Sequence, residues 1–247
     1  MKKIGLVIDS ISSDIKSQDN LYIVSIKSTI VNNKEEVIKP DTKSFINAFN
    51  TLKEKGYHYI ICLLSNNDIF GFTSSANLAK TIIEDSNIYI IDSKTFGPGI
   101  NYLINNLNDY IKSNESINKI LSLLNQDINK GIIYLSINKK IDLVYNINVK
   151  KSRVKKAYLL SINNEITIIK QAFFKKIIYK KLKDILLSYI NSGLTPKIIV
   201  FYTNNNYQIN ELINEINSKY NLEIYGVLSK TILHLLNKDS VGFYINN

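Results

Sequence analysis

Residues 59–68 read Tyr-Ile-Ile-Cys-Leu-Leu-Ser-Asn-Asn-Asp. An apolar run with no polar interruption marks a strand covered on both faces. The abrupt change to Ser65-Asn66-Asn67-Asp68 marks its carboxyl end. The same grammar recurs at Ile4–Asp9, followed by Ser10-Ile11-Ser12-Ser13-Asp14, and at Ile88–Ile91, followed by Asp92-Ser93-Lys94-Thr95. In an open parallel sheet, ligands bind outside the carboxyl ends of the strands, where helix N-termini offer free N–H donors. Each cluster read singly serves as well for helix caps. Three at one edge predict a site made of hydroxyls and amides, suited to hold a carboxylate or phosphate.

Working outward, further short runs rich in Ile, Val and Tyr predict strands at Leu21–Ile26, Ile132–Ile137, Ala157–Ile162, Ile166–Ile169, Ile198–Tyr202, Ile224–Val227 and Val241–Ile245. Helical periodicity fills the gaps. Thr42–Lys55 places Phe45, Ile46, Phe49 and Leu52 on one face, and Thr73–Glu84 carries Leu78, Ile82 and Ile83. Pro98–Tyr110, Ile117–Leu124, Lys175–Ile190 and Gln208–Lys219 complete the set. Alternating strands and helices predict an α/β protein with a mostly parallel N-terminal sheet flanked by helices. After about Ile128–Gly131 the pattern changes. Leu159–Ile162 and Ile166–Ile169 flank an Asn163-Asn164 turn, a hairpin signal. The expected organisation is two domains, residues 1–128 and residues 129–247, the second also α/β.

Composition narrows the function classes. A 247-residue chain buries a core without disulfides or metal clips. A single cysteine, Cys62, excludes a disulfide framework and any Cys-rich metal site, and two histidines leave little for a His-based centre. Neither a metal nor a cofactor is expected. Met1-Lys2-Lys3 runs straight into Ile4–Asp9 without the apolar core of a signal peptide, and no apolar run approaches the roughly 20 residues of a membrane span. The expectation is a soluble cytoplasmic protein. Nucleophile elbows, phosphate-binding glycine loops, dinucleotide fingerprints and HExxH are all missing. Cys62, inside an apolar run, reads as an inert buried thiol, because a reactive one needs exposure and a lowered pKa. His58 reads as structural.

Charge is concentrated. Residues 150–184 hold eleven basic residues against two acids, so this segment accounts for most of the chain's net +10. A solvated lysine-rich face is one reading, and a docking surface for something anionic is the other. Arg153 is the lone arginine, whereas readout of bases and phosphates prefers arginine. No zinc-finger, RNP or helix-turn-helix signature accompanies the lysines. An acidic protein or a membrane surface suits the cluster at least as well as nucleic acid, which is not expected as a partner.

The order of Asp9-Ser10, the segment Phe70-Gly71-Phe72-Thr73-Ser74-Ser75-Ala76 and the segment Asp92-Ser93-Lys94-Thr95-Phe96-Gly97-Pro98-Gly99-Ile100 resembles the DegV family. The resemblance spans nearly the whole chain and is strongest over 1–100. It implies a two-domain fatty-acid-binding protein. The acyl chain would lie in a tunnel of the N-terminal domain with its head group at a cleft between domains. Some members serve as the lipid-presenting subunit of fatty acid kinase, a separate subunit supplying the ATP chemistry. The implied role here is therefore non-catalytic, with a long-chain fatty acid, that kinase and transient membrane contact as partners.

Carried over residue by residue, the resemblance implies ligand contacts from Val37, Ile38, Ser65, Asn66, Phe70, Gly71, Phe72, Thr73, Ser93, Arg153 and His234. The sequence also departs from the family pattern. Where the family has TSxPS, this chain has Val37-Ile38-Lys39-Pro40-Asp41, without the hydroxyls. Phe70 and Phe72 replace the first serine and the threonine of SGTYxSA, Lys151-Ser152 replace the glycines of GGR, and the C-terminal His-Gly-Pro-Gly keeps only His234. Ser65, Asn66 and Thr73 are the expected substitutes for the lost hydroxyls. Phe70 and Phe72 are expected to line the tunnel mouth or to plug it. Two alternatives stand beside the carrier. One is a degenerate paralogue with another ligand or a purely protein-binding role. The other is a small-molecule enzyme, disfavoured by the thin supply of acid–base residues.

Overall fold

The computed structural model describes residues 3–11, 15, 18–31, 34–137, 156–204, 207–217, 220, 222–228 and 240–247. Strand β1 (Ile4–Asp9) is buried at every position, as a strand covered on both faces must be. It pairs in parallel with β2 (Leu21–Val24) and with the strand we number β5 (Tyr59–Leu64). β5 pairs in parallel with β6 (Ile88–Asp92), giving a four-stranded sheet in the order β2-β1-β5-β6. The carboxyl ends of β1, β5 and β6 therefore share one edge.

Between β2 and β5 lies an antiparallel pair, β3 (Lys27–Val31) and β4 (Lys34–Ile38), which the sequence reading did not anticipate. Lys-Ser-Thr opens β3 and Lys-Glu-Glu opens β4, leaving only two consecutive apolar residues in each, too short a run to betray a strand. Helix α1 (Thr42–Glu54) follows, its N-cap Asp41 accepting hydrogen bonds from the Ser44 N–H and hydroxyl. Phe45, Ala48, Phe49 and Leu52 form its buried face, with the two phenyl centroids 6.2 Å apart. A single turn, α2 (Asn67–Phe70), precedes α3 (Thr73–Ile83). After β6 come α4 (Pro98–Lys112) and α5 (Ile117–Lys130).

The chain divides into two units, Met1–Asn125 and Gln126–Asn247, the division falling within α5. The second unit is built on six strands: β7 (Gly131–Ile137), β8 (Ala157–Ile162), β9 (Ile166–Ala172), β10 (Lys197–Tyr202), β11 (Glu223–Val227) and β12 (Val241–Asn246). Their order is β11-β10-β12-β7-β8-β9. Only β10 and β11 pair in parallel, and the hairpin expected around Asn163 is the antiparallel pair β8–β9. Helices α6 (Lys175–Ile190) and α7 (Tyr207–Asn217) contribute Leu182, Leu186, Leu212 and Ile216 to one core with Leu159, Val200 and Phe243. The fold is thus mixed α/β, with one parallel and one mixed sheet. Among the described residues no helix is long and apolar enough to cross a membrane.

Candidate functional site

The shared edge of β1, β5 and β6 is fastened by its own polar residues. Asp9, 1% exposed, accepts from the Ser65 N–H at 2.6 Å through Oδ2, and from the Ser65 hydroxyl at 2.9 Å and the Ile11 N–H at 3.1 Å through Oδ1. Burial pushes the Asp9 carboxyl above the usual range, and the hydrogen bonds from Ser65 and Ile11 pull it back only in part. Asn66 caps α2 by accepting from Ile69 N–H, and its amide donates to the Lys94 carbonyl at 3.1 Å. Its backbone N–H donates to the Thr95 carbonyl at 2.7 Å. Asn67 Oδ1 accepts from the N–H and hydroxyl of Thr73. Asp92 accepts from the Asn67 N–H at 3.1 Å and pairs with the Lys94 ammonium at 2.8 Å, a contact that raises the Lys94 pKa. The Ser93 hydroxyl donates to the Thr95 carbonyl.

These bonds decide what each expected site residue can still do. Ser65, Asn66, Phe70, Gly71, Phe72, Thr73 and Ser93 do come together at one edge. The hydroxyl protons of Ser65, Thr73 and Ser93 are already committed to protein acceptors. Val37 and Ile38 close β4 immediately before Lys39. Arg153, His234 and the lysines at 150, 151 and 155 lie outside the described residues.

Two residues that the sequence reading did not single out carry the unspent polarity. The first is Lys39. Gly71 ends α2 in the left-handed region, with φ 68°, a conformation that favours glycine. A Cβ on Gly71 would fall 2.8 Å from the Lys39 ammonium, so the charge rests over this glycine. Among the described residues Lys39 has no ion-pair or hydrogen-bond partner. The second is Thr95, 4% exposed, whose hydroxyl oxygen has no partner among the described residues. It occupies the place where a Cβ on Gly99 would stand, 2.0 Å from that point, at the first turn of α4. Neither α3 nor α4 has a side-chain cap from its own N-cap residue, Phe72 or Gly97.

Beside these groups lies an aromatic cluster. Phe70 and Phe72 stack with centroids 5.7 Å apart, and Phe96 meets Phe70 edge-on at 5.9 Å. Their exposures are 5%, 1% and 0%. A separate cavity of about 510 Å³, lined by Lys3, Ile4, Tyr57, Tyr59, Ile111 and Ile117, opens at the amino ends of β1 and β5, the opposite edge. Cys62 is fully buried in β5, and burial, aided by the Asp9 charge, pushes its thiol pKa well up. That is the environment of an inert thiol.

A shared edge of three parallel strands, an unpartnered ammonium over a left-handed glycine and an apolar aromatic floor invite comparison with known proteins. The sequence pattern of the "Uncharacterised protein, DegV family" matches residues 7–147. The chain belongs to the DegV family. The resemblance read from the Asp9, Phe70–Ala76 and Asp92–Ile100 segments is thereby borne out. The whole chain superposes on a fatty-acid-binding DegV family protein of Streptococcus agalactiae, with TM-score 0.81, 17% identity, and 100% and 99% of the two chains covered. A stearic-acid-binding protein from Eubacterium ventriosum gives 0.80 at 14% identity, covering 100% and 98%. A DegV family protein from Corynebacterium glutamicum gives 0.83 at 10%, again covering 100% and 98%. At such identities the likeness establishes the fold of this DegV protein. No curated protein sequence matches it.

Proposed function

We propose that this DegV protein binds a long-chain fatty acid and presents its carboxylate to a separate ATP-using kinase subunit, without performing chemistry itself. The observation that carries the reading is the Lys39 ammonium, unpartnered among the described residues, beside Gly71 and next to the buried Phe70–Phe72–Phe96 cluster. A cation at the rim of an apolar region suits an anionic head with an alkyl tail. Fatty-acid binding by the structural relatives from S. agalactiae and E. ventriosum supports it. Energetically, each buried methylene contributes about 0.8 kcal/mol, so roughly a dozen supply on the order of 10 kcal/mol before the costs of association. The head then needs only a few donors for orientation, and the Lys39 ammonium and the Thr95 hydroxyl offer them. Such a carrier works in the cytoplasm and meets membranes transiently. In this reading Ser65, Asn66, Thr73 and Ser93 hold the edge together, and Gly71 makes room for Lys39.

A second reading, a paralogue that has lost the lipid, is favoured by one observation: Phe70 and Phe72 are stacked and buried where hydroxyl-bearing residues stand in the family pattern. Mass spectrometry of an organic extract of the purified protein separates the two. A stoichiometric C16–C18 acid supports the carrier, and a lipid-free protein that also takes up none supports the paralogue.

Lys39 gives a sharper test. Replacing it with alanine should weaken binding of a long-chain acid about tenfold, as expected for loss of a charged hydrogen bond, and leave the corresponding methyl ester unaffected. Displacement of a fluorescent lipid measures both. Equal losses for acid and ester, or none for either, would remove Lys39 from the head-group site.

A further inference from the structure

The second unit breaks ordinary helix-building rules at one place. Helix α6 begins with Phe174 at its N-cap, without a side-chain cap. Lys175 and Lys176 fill its first positions, and its first turn holds no acid. Positive side chains at a helix N-terminus oppose the macrodipole, and phenylalanine supplies no capping oxygen. Local rules broken together point to a function outside the fold. The same turn exposes apolar surface. Phe173 is 64% exposed and Phe174 71%, with Ile177 and Ile169 also exposed. The Lys156 ammonium lies 5.6 Å from the Phe173 ring centre, and Lys170 is exposed on β9, the strand that leads into Phe173. β9 is the edge of its sheet. Further along α6, Lys183 pairs with Glu215 of α7.

We propose that the β9–α6 corner is a docking surface for an anionic lipid bilayer. Phe173 and Phe174 would enter the interfacial layer, while Lys156, Lys170 and Lys176 would face lipid phosphates. The combination of phenylalanine with lysine is the chemistry of interfacial binding. Protein interfaces also take phenylalanine, but they favour arginine and are depleted in lysine. A bilayer surface needs no pocket, which suits an exposed turn. The inference extends the carrier reading by naming the surface through which a membrane-dissolved acid would be reached.

The test uses the full chain in flotation with vesicles of phosphatidylglycerol mixed equally with phosphatidylcholine, against phosphatidylcholine alone. Binding should require the anionic lipid and fall with added salt. Lys170→Glu with Lys176→Glu should weaken it at least about 30-fold, taking each cation as a separate electrostatic contribution. Phe173→Ser with Phe174→Ser should weaken it about tenfold at unchanged charge. All four side chains are exposed, so the variants should fold, and circular dichroism verifies that. Absence of vesicle binding, binding indifferent to phosphatidylglycerol, or variants that bind like the parent would overturn the proposal. So would finding that these substitutions abolish capture of an acidic protein while vesicle binding is unchanged. Vesicle binding is read independently of lipid content. A lipid-free protein that still floats with vesicles sinks the carrier reading alone, and a loaded protein that ignores vesicles sinks this one alone.

Discussion

Phe70→Ser combined with Phe72→Thr is expected to give a chain whose folding depends on added fatty acid. Both rings are buried, and each large-to-small change in a core costs about 3–5 kcal/mol. Together they consume on the order of 6–10 kcal/mol of a stability that for a typical protein is about 5–15. Phe96 would then face a void on the side of Phe70. If the two rings occupy the mouth of an acyl tunnel, an alkyl chain refills the space. A ligand at about a thousandfold excess over its Kd returns about 4 kcal/mol. Thermal melting should thus show a transition lowered by at least about 15 °C without lipid and raised by about 10 °C with it. Should the double variant not fold at all, Phe70→Ser alone carries the same comparison at smaller amplitude. Melting curves identical with and without a C16–C18 acid, in a folded variant that takes up no fluorescent lipid, would mean that the rings are ordinary core.

Asp9 is expected to be the costliest single side chain of the edge to remove. Asp9→Ala strips the Ser65 N–H, the Ser65 hydroxyl and the Ile11 N–H of their acceptor. Buried donors left unpaired cost about 1–3 kcal/mol each, partly offset by no longer burying a charge, so a net loss on the order of 3 kcal/mol is expected. Asn at the same position turns one amide donor toward those donors and should recover only part of this. The pH dependence has a definite sign. Burial raises the Asp9 pKa in the folded state, so the folded chain binds the proton more tightly than the unfolded one. Stability from this group is fullest below the ordinary carboxylate pKa of about 3.9 and falls as pH rises through the higher folded value. The advantage of the parent over Asp9→Asn should shrink across that window. Asp85, held below the usual range chiefly by Lys53, slopes the opposite way, with stability lost as pH falls, and its partial exposure keeps that effect small. Denaturant titrations over this range measure the difference. An advantage that grows with pH would mean that the hydrogen bonds, rather than burial, dominate Asp9.

What could be read from the sequence follows from burial. The bounds of β1, β5 and β8 emerge residue for residue because those strands are buried almost throughout and are mostly apolar. β3 and β4 escaped because each offers only two consecutive apolar residues, Ile30-Val31 and Val37-Ile38, after a polar start. The site was half legible. Polar clusters at strand ends announce an edge, but no local pattern tells which hydroxyls will be consumed by the fold. Ser65 finds Asp9 across 56 positions of chain, a pairing only the sheet register creates. Lys39 stood at the variable position between the expected hydroxyls, and its signal was indirect: a glycine at 71, favoured by the left-handed backbone there, over which the ammonium lies. Thr95 was one hydroxyl among several in the clusters at the strand ends, and nothing local marks it as the one of that edge whose oxygen finds no partner among the described residues.

The burial of Cys62 beside Asp9 has a consequence for how this chain ages. Its only thiol sits in the strand that carries the site, held as the uncharged acid by its surroundings. Oxidants act on the thiolate, so this thiol is silent in the folded molecule. Its oxidation can begin only after β5 has opened to solvent, by which time the edge formed with Asp9 has already come apart. Oxidised molecules would therefore be those that had already lost the site, and the thiol would record past unfolding rather than cause it.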